Sequence, residues 1–147
     1  KYLINKVFES CQPSGNFSLE TGGEFPEIET CVEKLEKVFN ILIKNAFDHH
    51  HLKSGIITVN CSISGGVLNI TVKDNGPGIK QVHFKMIFEM FKAIPDNRKN
   101  FTGCGLSIAK KIITDQGGKI SVSSDGINGS SFCFSWPATA LINSKQN

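Results

Sequence analysis

The stretch "VLNITVKDNGPGI", Val67 to Ile79, decides how the chain is read. Leu68, Ile70 and Val72 alternate with Asn69, Thr71 and Lys73, the period of a strand with one face buried. Continuing that alternation puts Asp74 on the apolar side at the strand's last position, where a carboxylate is costly unless something hydrogen-bonds to it. Gly76 and Gly78 follow at once, so the backbone can turn sharply and approach another molecule closely. Two readings of Asp74 stand at this point: an acid capping a neighbouring amide in a plain turn, or an acceptor held in a crevice for a ligand's amine.

Upstream, "GIITVNCSI" sets Ile57, Val59, Cys61 and Ile63 opposite Thr58, Asn60, Ser62 and Ser64, and "SGG" supplies a hairpin turn. Downstream, "KISVSS", a "DGING" turn and "SSFCFSWP" form a second hairpin, with Phe132, Phe134 and Trp136 on one face and Pro137 ending the strand. Every one of these strands is half polar, whereas a doubly wound parallel sheet is apolar on both faces. The expected fold is therefore α/β of the α+β kind: a two-layer sandwich, its sheet mixed and largely antiparallel, with helices on one face.

Leu35, Val38, Phe39, Leu42 and Ala46 recur at helical spacing and predict an amphipathic helix over residues 32–50. A second helix is entered and left through glycines in "GCGLSIAKKIITDQGG", with Leu106, Ala109, Ile112, Ile113 and Gln116 on one side. Between strand and second helix, the apolar cluster Met86, Ile87, Phe88 and Phe91 precedes "PDNRKN", which reads as a surface loop. In residues 1–30, "NKVFES" and "FSLET" read as short strands of the same domain; residues 31–137 form its main body and 138–147 a frayed tail.

A chain of 147 residues, 39% apolar and 20% charged, fits one soluble domain. No apolar run approaches the roughly 18 residues of a membrane span, so no membrane contact is expected from this segment. The start at Lys1 suggests a piece of a longer protein. Five cysteines with no C-x-x-C pair suggest reduced thiols used as small core fillers, in a cytoplasmic setting. The net charge of +3 is carried by scattered basic residues, which argues against a nucleic-acid groove and leaves room for a nucleotide.

Two further features bear on Asp74. Asn45 falls at the edge of the first helix's apolar stripe, where either its amide oxygen is a hard ligand suited to Mg²⁺ or its side-chain NH2 holds a loop carbonyl. Gly103 and Gly105 open the second helix, whose free amides and positive dipole end suit an anion, although helix–sheet packing also asks for small residues there. An acceptor for an exocyclic amine, an oxygen for a phosphate-bound metal and an anion cradle together point to ATP with Mg²⁺.

In order and spacing these motifs resemble the ATP-binding catalytic domain of sensor histidine kinases, within the superfamily that includes DNA gyrase, the heat-shock chaperones and the mismatch-repair ATPases. "LEKVFNILIKNAFDHH" is similar to its N box, "DNGPGI" to its first glycine box, "IFEMFK" to the box with two phenylalanines, and "TGCGLSIAKK" through "GSSFCFSWP" to its second glycine box and closing strands. The resemblance implies the Bergerat ATP-binding fold, with Asp74 bonding the adenine amine and Asn45 holding Mg²⁺. It further implies a nucleotide pocket shaped by Gly76, Gly78, Ile79, His49 and Ser130. A lid anchored by Phe88 and Phe91 would run through Lys92, Arg98, Lys99 and Thr102, and Gly103, Gly105 and Leu106 would begin the helix under the phosphates. His50 and His51 read as a solvated helix end.

Three positions depart from the pattern: Ile41 stands where the hydrolysing branches carry a glutamate base, Phe101 replaces the first glycine of the second box, and Met90 replaces a proline. Nearby Asn40 lies on the far side of the wheel and is no substitute for the base. An apolar base position weakens hydrolysis and leaves transfer to histidine open. None of the chain's four histidines lies on a paired-helix segment, so the implied partners are a dimerisation and phosphoacceptor domain of the same protein and a downstream response regulator. A regulatory module that binds ATP without transferring it, and a hydrolysing ATPase, remain as rivals.

Overall fold

The computed structural model describes residues 1–11, 15–90 and 103–137. Its elements run α1 (Tyr2–Cys11), β1 (Asn16–Gly23), α2 (Val32–Asp48), β2 (Ser54–Ser64), β3 (Val67–Asp74), short 3₁₀ turns at Gln81–His83 and Met86–Phe88, α3 (Gly105–Asp115), β4 (Ile120–Ser123) and β5 (Ser131–Pro137). The five strands form one sheet in the order β1-β2-β3-β5-β4. β1 pairs with β2 in parallel, as a connection through α2 permits, and the other pairings are antiparallel. This is the expected mixed, largely antiparallel sheet with helices on one face.

The β2–β3 turn shows why the sequence there is glycine. Gly65 and Gly66 both have positive φ, 58° and 77°, which a two-residue hairpin turn of the favoured hand demands at both positions. The turn sets the register Ile63↔Leu68, Cys61↔Ile70 and Val59↔Val72, so these alternating apolar side chains land together on the helix side, while Ile56 falls on the other face and is exposed.

Residues 2–11 are helical, which corrects the expected strand at "NKVFES". Ile4, Val7, Phe8 and Cys11 follow helical spacing, and the first three are buried. The same helix explains a second difference. α2 buries Ile43 and Phe47 as well as the predicted stripe, because it is covered by the sheet on one flank and by α1 on the other. Phe47 meets Phe8 at 5.6 Å and Phe17 of β1 at 4.8 Å, and Phe39 meets Phe134 of β5 at 5.9 Å. α2 ends at Asp48, with His49 as its C-cap, two residues before the expected end.

α3 adds Ala109 and Ile113 to the core and stops in a Schellman cap, where the Gly118 amide donates to the Ile113 carbonyl and the Gly117 amide to that of Thr114. The cysteines are free, but Cys31 and Cys133 are exposed and only Cys61 is fully buried, so the filler role holds for Cys61 and not for those two. Burial pushes the Cys61 thiol above its ordinary pKa. Among the described residues no helix is long and apolar enough to cross a membrane.

Trp136, the chain's single tryptophan, has no exposed surface and donates its indole N–H to Thr30 Oγ1 at 2.9 Å, tying the segment before α2 to β5. Thr30→Val leaves that donor unmatched and is expected to lower stability by about 1–3 kcal/mol. Urea denaturation followed by Trp136 emission measures it; an unchanged midpoint would show that this bond does not secure the segment.

Candidate functional site

β3 delivers Asp74 to the end of the sheet on the side of Val72, and the side chain is only 9% exposed. The β3–β5 register pairs Lys73 with Ser131, and the Asp74 amide then donates to the Ser130 carbonyl at 2.9 Å. Ser130 is thereby directly across from the acid. Its hydroxyl donates to Asp74 Oδ2 at 2.6 Å, while the Gly76 amide donates to Oδ1 at 2.8 Å. Hydrogen bonds to a charged group contribute about 1.5–3 kcal/mol each, enough to make this burial tolerable. A carboxylate offers about four acceptor positions, so two such bonds leave capacity for an incoming donor.

The glycines around this acid answer to space and conformation. A Cβ on Gly76 would lie 2.9 Å from Asp74 Oδ1 and force the carboxylate to shift, and Gly78 has φ 78° with the Ile127 amide nitrogen 2.6 Å from where a Cβ would stand. Ile79, placed in the nucleotide pocket by the sequence reading, is half-buried and packs against the core, and Leu106 does likewise.

Sequence reasoning missed Ser124. Its hydroxyl accepts from the Ile79 amide at 2.9 Å and the Gly126 amide at 3.1 Å and donates to the Gly129 carbonyl at 2.6 Å. The β4–β5 turn is thus fastened to the turn after Asp74. Asp125 shapes it: hydrogen bonds from the amide and side chain of Asn128, then the Ile127 amide, hold the Asp125 carboxyl below the usual carboxylate range. The signal was present, since Ser-Asp-Gly marks a turn in which side chains bond nearby amides.

His50 is the second omission. Far from being a solvated helix end, it is 6% exposed, with its ring edge-on to Phe17 at 5.3 Å. Nε2 lies 3.1 Å from Asn75 Oδ1, the Leu52 amide donates to Nδ1 at 3.1 Å, and the Leu52 carbonyl is 3.2 Å from that same nitrogen. His51 is exposed, as expected, and stacks on His50.

Asn45 is half-buried on α2, with His49, also half-buried, one turn along the same side. Ile41 lies one turn the other way, and a Cβ on Gly105 would stand 3.5 Å from its Cγ2. The first turn of α3 therefore rests on α2 beside the Asn45 face. Asn40 instead accepts from the Cys11 thiol at 3.2 Å, pointing to α1 as its place on the wheel required. At the α3 start, Gly103 has φ 66° and the N-cap Cys104 makes no side-chain bond to the helix, while Ser107 Oγ donates back to the Cys104 carbonyl.

Phe88 is half-buried, edge-on to Phe132 at 6.3 Å, with Lys110 Nζ 5.8 Å from its ring centre, and neighbouring Ile87 is buried. The site candidates Phe91, Lys92, Arg98, Lys99 and Thr102, and the departure at Phe101, lie outside the described residues. Among the described residues no three His, Cys, Asp or Glu side chains gather to hold a metal. A lone amide oxygen such as that of Asn45 suits Mg²⁺, which keeps its waters and takes its other ligands from phosphate.

Residues 31–140 match the family model for histidine kinase-, DNA gyrase B- and HSP90-like ATPases. Over 105 residues, 69% of this chain, the sequence is 39% identical to cyanobacterial phytochrome B of Nostoc sp., and it spans 14% of that protein. It is 33% identical to the alginate biosynthesis sensor protein KinB of Pseudomonas aeruginosa, over 80% of this chain and 19% of KinB. The crystal structure of full-length ShkA in complex with AMPPNP superposes with a TM-score of 0.80 at 25% identity, covering 95% of this chain and 30% of that one. The chain thus spans less than a quarter of these two curated relatives.

The Asp74 carboxylate generates a direct test. Asp74→Asn is expected to lower ATP affinity about 10- to 100-fold, the worth of one charge-assisted bond, and to leave weak GTP binding unchanged. Isothermal titration with both nucleotides, with and without Mg²⁺, reads the difference; equal wild-type affinity for the two would contradict the adenine assignment.

Proposed function

The chain belongs to the histidine kinase-, DNA gyrase B- and HSP90-like ATPase family, and on that footing we propose that it is the ATP-binding catalytic domain of a two-component sensor histidine kinase. It passes the γ-phosphate of ATP to a histidine on a dimerisation and phosphoacceptor domain of the same protein, from which a response regulator takes it. The observation that carries this reading is the buried, doubly hydrogen-bonded Asp74 carboxylate with unused acceptor capacity at the mouth of a glycine turn. Adenine presents an exocyclic amine to such an acceptor; guanine does not present one in the same place.

The other roles follow from position. Asn45 would hold Mg²⁺, which when bound neutralises charge on the phosphates. The opening of α3 at Gly103 and Gly105 would place backbone amides and the helix dipole toward the same phosphates, with His49 close by on the α2 edge. Lys92, Arg98, Lys99 and Thr102 would belong to the segment that covers the nucleotide. Residues 31–137 carry these motifs, and α1 and β1 from residues 1–30 complete the same domain by packing on α2 and pairing with β2. ATP as donor and five free thiols suit a cytoplasmic domain, including one at the cytosolic end of a membrane-bound sensor.

Ile41 favours transfer over hydrolysis. Hydrolysis needs a water activated by a base, and the apolar Ile41 packs against Gly105 where that base would stand. An acceptor imidazole is itself the nucleophile, so positioning and charge neutralisation suffice.

Mixing the chain with a matched phosphoacceptor fragment and γ-labelled ATP is expected to place acid-labile label on histidine. Free phosphate alone would indicate the hydrolysing ATPase, and bound, unreacted ATP the regulatory module. Asn45→Ala is expected to cut transfer by about 100-fold or more, since a lost metal clamp forfeits several kcal/mol, while Mg²⁺-independent ATP binding persists.

A further inference from the structure

We infer that His50 is a positioning residue for recognition of the nucleotide base, acting through Asn75 to hold the turn that orients the Asp74 carboxylate. The inference rests on the adenine role of Asp74 and adds to it a part of the chain to which no role was assigned. Its basis is a continuous set of hydrogen bonds running from the end of α2 to that turn.

Asn75 Oδ1 accepts from the Ile56 amide at 2.8 Å, so the side-chain atom facing His50 is the oxygen. An oxygen only accepts; His50 Nε2, 3.1 Å away, must therefore be the donor. In the neutral ring Nδ1 then carries the lone pair that receives the Leu52 amide at 3.1 Å. One imidazole consequently joins three segments: the residue after the α2 C-cap, the loop leading into β2, and the residue between Asp74 and Gly76.

The last of these reaches the carboxylate. The Gly76 amide is the donor to Asp74 Oδ1, and the peptide that carries it is the one linking Asn75 to Gly76. His50 Cδ2 lies 3.4 Å from where a Gly76 Cβ would stand, so the ring lies alongside Gly76. With the ring in place beside Gly76, rotation of the 75–76 peptide is restrained by the Asn75 anchor. Lose the anchor, and the Gly76 amide is free to leave Oδ1, after which the acid swings from the direction a base amine must approach. His50 follows directly on α2, which bears Asn45, so the same ring fixes the base end of the site relative to the helix at its phosphate end.

Leu approximates the volume of the ring without its donor, and the Gln amide nitrogen occupies the place of Nε2. His50→Leu is expected to lower ATP affinity about tenfold while GTP affinity stays level, so the ATP/GTP preference falls by the same factor. His50→Gln is expected to restore the preference to within about twofold. Asn75→Ala, which also takes the acceptor from the Ile56 amide, should lower the preference at least as far as His50→Leu, and the double variant should be no worse than Asn75→Ala alone, because His50 acts through Asn75.

Isothermal titration of the whole chain with ATP and GTP measures each case, with Trp136 emission reporting that the fold is intact. Should His50→Leu fail to fold, Asn75→Ala and His50→Gln carry the test. A preference unchanged in Asn75→Ala, or equal losses of ATP and GTP binding in the folded variants, would overturn the inference and leave the adenine reading standing. A wild-type chain with no ATP preference would overturn both.

Discussion

A carboxylate taken out of water at the end of a strand is the constraint on which the rest of this molecule turns. Asp74 is tolerated there because Gly76 and Ser130 donate to its two oxygens, and each donor depends on a different piece of architecture. The Gly76 bond requires a turn tight enough for the amide two residues on to fold back. The Ser130 bond requires that β5 pair with β3 in one register only. A slip by one residue would present the opposite face of β5 to the acid and carry Phe132, Phe134 and Trp136 out of the core with it. Hydrophobic burial and the polar site are thus specified by the same pairing, and neither can shift without the other.

The core holds the remaining parts at fixed separations. α2 is pressed between the sheet and α1, with Val38 and Ile43 wholly inaccessible, which leaves its polar edge as a rigid support for Asn45 and His49. α3 comes down on that support at Ile41 through a glycine that has no side chain to hold it away. The contact has a chemical consequence as well as a mechanical one: the side chain that α2 presents to the start of α3 at this point is the apolar Ile41 and not a carboxylate.

Around Asp74, small polar residues provide the bracing that apolar packing cannot. Ser124 fastens the β4–β5 turn to the backbone of Ile79, Asp125 stiffens that turn from outside, and His50 and Asn75 fasten α2 to the residue beside Asp74. Turns have few apolar contacts and many amides in need of partners, so side chains that accept and donate at short range set their shape.

The sequence by itself determined the elements whose information is local and periodic. Alternation in Leu68–Asp74 and Ile57–Ile63, the three-and-four spacing of Leu35 to Ala46, and glycines at turns and helix ends are consequences of backbone geometry and show through without knowledge of neighbours. They sufficed for the sandwich, for the inward acid, and for the nucleotide reading. Only tertiary structure decided that residues 2–11 coil rather than extend, because α1 is short and draws its stability from α2; that Ile43 and Phe47 belong to the core, because a second partner covers them; and that β1 runs parallel to β2. It decided too that His50 is buried and Ser124 central. Their partners, Asn75 and Ile79, lie 25 and 45 residues away along the chain, and a hydrogen bond between distant residues leaves no period to read.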